Sequence, residues 1–445
     1  MCGIFAILNA NDNTLTSFSN LSYSFDKGKP RGPEFSILNH YNNLHIGFHR
    51  LAINGLNTKS NQPFDINNII LVCNGEIYNF KELAEDNSIT LTTDSDCEII
   101  LHLYQKYGIE FTLSILDGVF AFVLYDKNIN KVIVGRDPYG VRPLYYFNEN
   151  NIISFASELK VLYPLLLRKK NINHFPPGSF MILDNSNSKN YNLSYKKYTS
   201  FPCSNIKYLN RASLYYKIID NLESAVKKRV SGTTERPIGC LLSGGLDSSI
   251  ITSIVCNLIG PSNVKTFAIG LEGSPDLLSA QKVATYLGTN HTNVIVTEKE
   301  MLEAIDPTIY QIESNDITTI RASVPMFLLS KYIRDNTDIK VIFSGEGSDE
   351  ASGSYLYFHK APNPREFEEE TLRLLKDVRM FDVLRADKTT AGNGLELRVP
   401  YFDKEFLNYY MGIDPKLIEQ FRERYGDDFG IKKWWSLIKN GFRRF

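Results

Sequence analysis

RPIGCLLSGGLDSS, residues 236–249, decides the fold of the second half of the chain. The apolar, strand-like run IGCLL leads directly into a glycine-rich loop, and a helical pattern follows it. Glycines let the backbone turn sharply and present N–H groups, while the start of the helix adds positive potential. The hydroxyls of Ser243, Ser248 and Ser249 supply further donors. The loop therefore predicts a cradle for an oxyanion such as phosphate.

Asp247 lies inside this loop, where a carboxylate would repel phosphate unless a cation bridges the two groups. Mg²⁺ is the natural candidate for that cation. The loop is not a Walker A motif, because the GK[ST] ending is absent. A serine- and glycine-rich turn with a solvated acid is the alternative that this loop alone leaves open.

Strand-like and helix-like patterns alternate around the loop. They are a helix over 213–230, a strand at 265–271, a helix at 279–288, a strand at 292–297, helical stretches around 300–334 and a strand at 340–345. This alternation predicts βαβ units and a doubly wound parallel sheet covered on both faces. Ligands bind to such sheets at the carboxyl ends of the strands.

A second loop, SGEGSDE at 344–350, repeats this design directly after the strand KVIF. Gly345 and Gly347 allow close backbone approach, Asp349 can bind a metal, and Glu346 lies at the centre. Two such loops, each with an aspartate at the end of a predicted parallel strand, favour a phosphate-binding site with a bridging cation over two unrelated turns.

The first 185 residues have a different character. Short β-like runs with alternating apolar residues recur at 43–53, 68–80, 118–126, 131–137, 142–147 and 151–157. A helix is predicted over 95–108, beginning at Ser95 or Asp96 and ending at Gly108. We therefore expect an α+β domain of stacked sheets at 1–185, a polar linker at 186–212, and an α/β domain at 213–445.

The amino-acid composition excludes several classes of function. The chain has 445 residues and 43% apolar content. Its net charge is −1, so it lacks the excess of positive charge with which proteins bind nucleic acid or an anionic membrane. It has no apolar run of bilayer length and no signal peptide, so we expect a soluble cytoplasmic protein. Its six cysteines show neither zinc-site spacing nor a disulfide framework.

The motifs of the second half carry a resemblance. SGGLDSS is similar to the pyrophosphate-binding loop of the ATP pyrophosphatase (PP-loop) family. Together with SGEGSDE, NDITTIRAS at 315–323 and SYLYFHKAP at 354–362, it resembles the synthetase domain of glutamine-dependent asparagine synthetases. In that family ATP activates the β-carboxylate of aspartate as an acyl-adenylate, and ammonia then displaces AMP.

The resemblance implies a role for each matching position. The adenosine and α-phosphate would contact Leu242, Ile269, Ser344 and Gly345. The pyrophosphate would lie on Ser243, Gly244, Gly245, Leu246, Asp247, Ser248 and Ser249. Asp247 and Asp349 would bind Mg²⁺, and Glu346 would accept a proton from the attacking ammonia. Aspartate would be oriented by Thr318, Thr319 and Arg321, since a guanidinium can bind a carboxylate through two parallel hydrogen bonds.

The chain begins MCGIFAILN, and removal of Met1 would give Cys2 a thiol and a free α-amine in one residue. A small buried cysteine is the alternative. The segments MCGIF, RGPE, FHRLAIN, NGEIYN, TDSDCE, FAFVLYD and GRDPYGVRPLYY resemble, in order, the N-terminal-nucleophile glutaminase domain of the same family. The resemblance implies that Cys2 is a nucleophile whose α-amine takes up the thiol proton.

The same resemblance implies a glutamine site. Asn74 and Gly75 would stabilise the tetrahedral oxyanion, and Arg50 would bind the α-carboxylate of glutamine. The α-ammonium would pair with Glu76 and Asp96. The backbone of Leu51, Ala52, Ile53 and Asn54 would line the pocket. Ammonia would then pass between the two sites through an internal tunnel.

Three functions stay open at this point. They are a glutamine-hydrolysing asparagine synthetase, a related amidotransferase or amide-forming ligase with another carboxylate substrate, and a glutaminase-only or non-catalytic ATP-binding relative. The region after 410 looks shortened against the family, and Arg424 stands where a lysine is usual. Ser354 stands where a second glycine is common. Family members often dimerise, which makes a homodimer one assembly open to this chain.

Overall fold

A computed structural model describes residues 1–10, 16–166, 171–185, 193–201, 206, 211–233 and 235–417. Arg424 and the cysteine at 203 lie outside these residues. The described chain forms two regions. We call the first the sandwich, because two antiparallel sheets face each other within it, and the second the parallel-sheet region. The predicted combination of an α+β N-terminal part and a doubly wound α/β part is confirmed.

The sandwich contains twelve strands and five α-helices. Its strands are β1 (Gly3–Leu8), β2 (Phe35–Tyr41), β3 (Leu44–Arg50), β4 (Phe64–Ile66), β5 (Ile69–Ile77), β6 (Gly118–Asp126), β7 (Lys131–Arg136), β8 (Tyr145–Glu149), β9 (Ile152–Ala156), β10 (Asn173–His174), β11 (Ser179–Asp184) and β12 (Tyr195–Lys197). Its helices are α1 (Phe18–Asp26), α2 (Phe80–Asp86), α3 (Ile99–Tyr107), α4 (Ile109–Ile115) and α5 (Leu159–Leu162). The strand orders are β10-β8-β9-β1-β3-β2 and β12-β11-β7-β6-β5-β4.

Strand β1 shows why the sandwich has four layers. Ile4, Ala6 and Leu8 face the second sheet, whereas Phe5 and Ile7 face helices α1 and α5 on the outside. Both faces of the strand are therefore buried, which explains the continuous apolar run at the start of the sequence. Helices α2–α4 cover the outer face of the other sheet in the same way.

The parallel-sheet region follows from helix α6 onward. Its strands are β13 (Ile238–Leu241), β14 (Lys265–Gly270), β15 (Asn290–Ile295), β16 (Val341–Phe343) and β17 (Glu396–Arg398). Its helices are α6 (Arg211–Ser231), α7 (Leu246–Ile259), α8 (Pro275–Leu287), α9 (Glu298–Glu303), α10 (Ile305–Ile312), α11 (Ile317–Asn336), α12 (Ser348–Ser352), α13 (Pro364–Asp377), α14 (Asp382–Ala391) and α15 (Lys404–Met411).

The order β15-β14-β13-β16-β17, with every pair parallel, places the strand-order reversal between β13 and β16. The chain winds outward from β13 to one edge and then from β16 to the other, so a crevice is expected at the carboxyl ends of these two neighbouring strands. The sequence segments 243–249 and 344–350 are those two loops.

Every strand and helix predicted from the sequence is present. Strand β12, which pairs antiparallel with β11, falls within the segment predicted as a linker, so part of that segment completes a sheet. Several elements were not predicted, among them helices α13 and α14 and strand β17. Among the described residues, no helix is both long enough and apolar enough to cross a membrane.

Candidate active sites

The first candidate site lies where the loops after β13 and β16 touch. A methyl group built on Gly345 would lie 2.7 Å from the backbone nitrogen of Ser248 and 2.9 Å from the carbonyl carbon of Asp247. Gly244 has a φ of +80°, which lets the first loop turn back into the start of α7. Only glycine therefore lets the two loops pack this closely.

Between these loops lies a cavity of about 310 Å³. Its lining includes eight of the predicted residues: Ser243, Gly245, Asp247, Ser248, Ser344, Gly345, Glu346 and Asp349. It also includes residues that the sequence motifs did not assign: Leu241, Met326, Gly347, Ser348, Glu350, Tyr355 and Arg385. The predicted phosphate and metal positions are thus brought together around one space.

The remaining predicted positions lie around this cavity or farther out. Gly244, Leu246 and Ser249 belong to the same loop and the first turn of α7, and Ser249 donates to the Gly245 carbonyl at 2.6 Å. Leu242 is buried against α8, and Ile269 is half-buried near the end of β14. Thr318 and Arg321 are exposed in the first turns of α11, and the Thr319 N–H donates to Asp316 at 2.7 Å.

Charged groups surround Glu346 in this cavity. Arg385 on α14 donates from Nη2 to Oε2 of Glu346 at 2.9 Å, and it also pairs with Asp382 on its own helix. Burial raises the pKa of Glu346, whereas Arg385 opposes that rise. Burial and the nearby Asp382 raise the pKa of Glu350 to about 8. The cavity therefore holds carboxyl groups whose proton affinity lies above the ordinary range.

The carboxylates suit a metal that binds together with phosphates. Burial raises the pKa of Asp247, and the negative charge of Asp349 adds to that rise, so a cation between them would relieve the repulsion. Asp247 already accepts from the Ser348 hydroxyl at 2.7 Å. Among the described residues, no group of three or more His, Cys, Asp or Glu side chains could hold an ion. Mg²⁺ commonly uses one or two carboxylates with substrate phosphates and water, which fits this donor set.

The second candidate site lies at the start of the chain. The Cys2 thiol donates to the Leu51 carbonyl at 3.7 Å, and Nε of Arg31 donates to the Cys2 carbonyl at 2.9 Å. Burial raises the pKa of this thiol to about 11 while Met1 precedes it. Met1 is 1% exposed and its amine lies 3.9 Å from Oε2 of Glu396.

Asn74 is the most distinctive residue near this end of the chain. It lies on β5, whose sheet packs against β1, and its side chain is fully buried. Neither its Nδ2 nor its Oδ1 has a hydrogen-bond partner among the described residues. A buried amide without a partner is costly, so its retention indicates a ligand that supplies the missing bonds. The next residue, Gly75, leaves no room for a Cβ, which would lie 2.5 Å from the Val119 carbonyl oxygen.

The predicted glutamine ligands surround the loop after β3. Arg50 is buried and donates to the Asn57 carbonyl at 3.0 Å and to Oδ1 of Asn61 at 2.6 Å, so it also orders this loop. The side-chain amide of Asn54 donates to Oε1 of Glu76 at 2.7 Å. Leu51, Ala52 and Ile53 are buried in the same loop.

Two buried carboxylates lie beside that loop. Asp96 accepts from the Ile77 N–H at 2.7 Å, and burial raises its pKa to about 6. Burial raises the pKa of Glu76 as well, and the neighbouring Arg398 opposes that rise. Both carboxylates therefore gain from a cationic partner, as a substrate ammonium would be.

Comparison with known proteins agrees with this geometry. A family model described as a glutamine amidotransferase domain matches residues 1–217, and one described as asparagine synthase matches 217–368 and 360–424. The asparagine synthetase (glutamine-hydrolyzing) of Cricetulus griseus is 44% identical over 94% of this chain and 78% of its own length. The chain belongs to the glutamine-hydrolysing asparagine synthetase family.

Other members of this family are equally similar. The protein of that name from Homo sapiens is also 44% identical, and the one from Gallus gallus is 43% identical. Each comparison again covers 94% of this chain and 78% of the relative. Both sites described above lie within residues 1–424, which the two family models match.

Sequence reasoning missed charged residues that line the synthetase cavity or join the two regions. Arg31 lies in the quoted segment RGPE, yet no role followed from that motif. Arg385, Glu396 and Arg398 carried no local signal, because each has a partner in a distant segment, namely Glu346, Arg142 and Glu76 in that order. Their significance is visible only once the strands and helices are in place.

Proposed function

We propose that this protein makes asparagine from aspartate and ATP with nitrogen taken from glutamine, and releases glutamate, AMP and pyrophosphate. One arrangement carries the proposal. A phosphate-type cavity at the strand-order reversal is built into the same chain as an N-terminal cysteine and the unpaired amide of Asn74, which lie at the two facing sheets of the sandwich. The proposed domains are the glutaminase at 1–185 and the synthetase at 213–445, joined by 186–212.

In the glutaminase half, removal of Met1 would leave the Cys2 α-amine beside its thiol. The amine takes the thiol proton, and the thiolate attacks the side-chain amide of glutamine. The Asn74 amide and the Gly75 N–H would donate to the oxyanion. Ammonia then leaves with the returned proton, and water cleaves the thioester to release glutamate. Arg50 would bind the α-carboxylate of the substrate, while Glu76 and Asp96 would bind its α-ammonium.

In the synthetase half, the β-carboxylate of aspartate attacks the α-phosphorus of ATP, which gives β-aspartyl-AMP and pyrophosphate. The loop Ser243–Ser249 would hold the pyrophosphate, and Leu242, Ile269, Ser344 and Gly345 the adenylate. Mg²⁺ held by Asp247 and Asp349 would neutralise phosphate charge. Glu346 would accept a proton as ammonia displaces AMP, and its raised pKa suits a proton acceptor. Thr318, Thr319 and Arg321 would orient aspartate.

Ammonia must travel from one site to the other without becoming ammonium in bulk water. Met1 supports an internal path, because it is buried where the sandwich meets the parallel-sheet region. It belongs to an apolar cluster that draws residues from both regions, including Leu51, Val119 and Leu397. Loss of Met1 would vacate that volume between Cys2 and β17. We propose that this space is one end of the tunnel.

The proposed setting is the cytoplasm, where thiols stay reduced. The five described cysteines at positions 2, 73, 97, 240 and 256 are free, which fits that setting. The partners are small-molecule substrates, and a homodimer is the proposed assembly.

The deciding experiment incubates the protein with aspartate, ATP, Mg²⁺ and ¹⁵N-amide glutamine, and measures asparagine by mass spectrometry. Cys2→Ala should lose glutamine-dependent synthesis and recover asparagine formation with added ammonium. Cys256→Ala, which alters a buried cysteine outside both sites, serves as the matched control. Glutamate without asparagine would instead favour another acceptor, and no ATP turnover would favour a non-catalytic relative.

A further inference from the structure

Asp387 contacts the glutaminase half from the opposite half of the molecule. It lies on α14, and its Oδ2 accepts from Nη1 of Arg31 at 2.8 Å. The same Nη1 also donates to Oε1 of Glu158 at 2.7 Å. All three side chains are 1% exposed, so water does not compete for these contacts. The guanidinium is thus fixed between one carboxylate from each region.

Arg31 also contacts Cys2, the proposed nucleophile. Its Nε donates to the backbone carbonyl of Cys2 at 2.9 Å. Once Met1 has been removed, residue 2 becomes the chain end, and chain ends fray unless something holds them. Three bonds then fix Cys2: its peptide link to Gly3, the hydrogen bond from its thiol to the Leu51 carbonyl, and the hydrogen bond from Arg31 to its own carbonyl. Of these, the bond from Arg31 is the one that fixes the backbone of residue 2 from outside its own strand, so the orientation of the thiol depends on the guanidinium.

We propose that Asp387 is a positioning residue for Cys2, acting through Arg31, so that the synthetase half completes the glutaminase site. This inference rests on the proposed glutaminase activity. Without the carboxylate of Asp387, the Arg31 guanidinium has Glu158 as its one remaining carboxylate partner and rotates toward it. The hydrogen bond from Nε of Arg31 to the Cys2 carbonyl is then lost, and the Cys2 thiol is no longer oriented toward the substrate amide.

The position of Asp387 on α14 supports a dedicated contact. Arg385, two residues earlier, faces the synthetase cavity and pairs with Glu346 at 2.9 Å. Residues two apart on a helix point in directions about 200° apart. One side of α14 therefore holds Glu346 while the other holds Arg31. Arg142 also donates to Asp387, from Nη1 to Oδ1 at 3.3 Å, which fixes the carboxylate from the sandwich side.

The test is Asp387→Asn in the full chain, with glutaminase and ammonia-dependent synthesis measured on one preparation. We expect glutaminase kcat to fall by ~10- to 100-fold, the cost of misplacing a reacting group by a fraction of a bond length. The KM for glutamine should stay within ~3-fold because Arg50, Glu76 and Asp96 are untouched. Retained ammonia-dependent synthesis would show that the chain is folded.

Arg31→Gln, alone and combined with Asp387→Asn, separates positioning from general stability. If Asp387 acts through Arg31, the double variant is no slower in glutaminase kcat than Arg31→Gln alone. Asp117→Asn is the matched control, because it breaks another contact between the two regions, the 2.7 Å pair with Lys228, away from Cys2. That variant should keep its glutaminase kcat.

Three results would overturn the inference: an unchanged kcat in Asp387→Asn, additive losses in the double variant, or an equal loss in Asp117→Asn. If Asp387→Asn does not fold, Asp387→Glu replaces it, since it keeps the charge and shifts it by one methylene. An unchanged kcat at unchanged KM in that variant would also overturn the inference. A wild-type chain with no glutaminase activity would instead refute the proposed function.

Discussion

Glu76 on β5 and Arg398 on β17 form an ion pair across the two regions, with Nη2 of Arg398 lying 3.1 Å from Oε1 of Glu76. The guanidinium is fully buried and also pairs with Glu396 at 2.8 Å. A proposed glutamine ligand in one half is thus held by a cation from the other. The two regions are connected at the substrate pocket itself.

Replacing Arg398 with glutamine should therefore lower both stability and glutamine binding. Breaking one partner of a buried ion pair typically costs about 3–5 kcal/mol, because the other charges stay buried and uncompensated. The pKa of Glu76, already raised by burial, would rise further without the guanidinium, which weakens binding of the substrate ammonium. Urea unfolding and the glutamine KM measure the two effects.

Arg373→Gln is the control for this prediction. Arg373 is 56% exposed and pairs with Glu370 on the surface of α13. Exposed pairs contribute about 1 kcal/mol or less, so stability and glutamine KM should change little. If Arg398→Gln changes the stability and the glutamine KM as little as Arg373→Gln does, Arg398 acts as an ordinary surface charge.

Asn74→Ala should separate activity from stability. The Asn74 amide has no partner among the described residues, so its removal relieves an unsatisfied buried group and should leave the unfolding midpoint nearly unchanged. If the amide stabilises the oxyanion, glutaminase kcat should fall by about 10²–10³. Ammonia-dependent synthesis should persist. Steady-state kinetics and thermal unfolding on one preparation provide both readouts.

Asn79→Ala is the control, and it should lower stability while leaving activity unchanged. The Asn79 amide donates to the Ile115 carbonyl and accepts from the Asp117 N–H, both at 3.0 Å. Its loss should cost about 1 kcal/mol of stability and leave kcat largely intact. A destabilised Asn74→Ala with normal kcat would mean that Asn74 has a structural role.

Much of this architecture follows from local sequence. Continuous apolar runs such as 3–8 and 118–126 become strands buried on both faces, and glycine-rich loops mark the ends of β13 and β16. These signals are local because the apolar pattern of a strand and the chemistry of a sharp turn depend on residues near one another in the sequence. The cavity at the strand-order reversal could therefore be predicted from the order of strands and loops.

The contacts between the two regions could not be predicted in this way. Arg31 and Asp387 are 356 positions apart, and each looks like an ordinary surface charge in its own segment. Strand β17 has three residues, and the first and last are charged, so it lacks the apolar pattern of a central strand. Burial of Glu396 and Arg398 becomes favourable only when both meet partners from distant segments.

Gly345→Ala should abolish the synthetase reaction while sparing the glutaminase. The added methyl would lie 2.7 Å from the Ser248 nitrogen, closer than a Cβ contact tolerates, and would push the two loops apart. Synthesis with ammonium should fall by about 100-fold or more, since the phosphate groups would lose their alignment. Glutamate release should continue. Gly245→Ala should cost less, because its methyl would meet only the Ser243 hydroxyl, at 3.3 Å.

The buried imidazole of His49 should make stability depend on pH. Its Nε2 donates to the Phe25 carbonyl at 2.9 Å, its Nδ1 accepts from the Ser36 hydroxyl at 2.7 Å, and its ring stacks on Phe25. This pattern holds the neutral form, and burial lowers the pKa of His49 from 6.5 to about 4. Below pH 6.5 the unfolded chain binds a proton that the folded chain refuses. Stability is therefore complete above pH 6.5 and declines as the pH falls toward 4.

Between pH 7.5 and 5 this group should remove about 2 kcal/mol from the free energy of unfolding, at 1.36 kcal/mol per pKa unit. His49→Gln keeps an amide that can donate to the Phe25 carbonyl but cannot take up a proton. Urea unfolding of both chains at the two pH values measures the difference. The variant should be less stable than wild type at pH 7.5 yet lose less on acidification. Equal losses would mean that the His49 imidazole becomes protonated in the folded chain as readily as in the unfolded one.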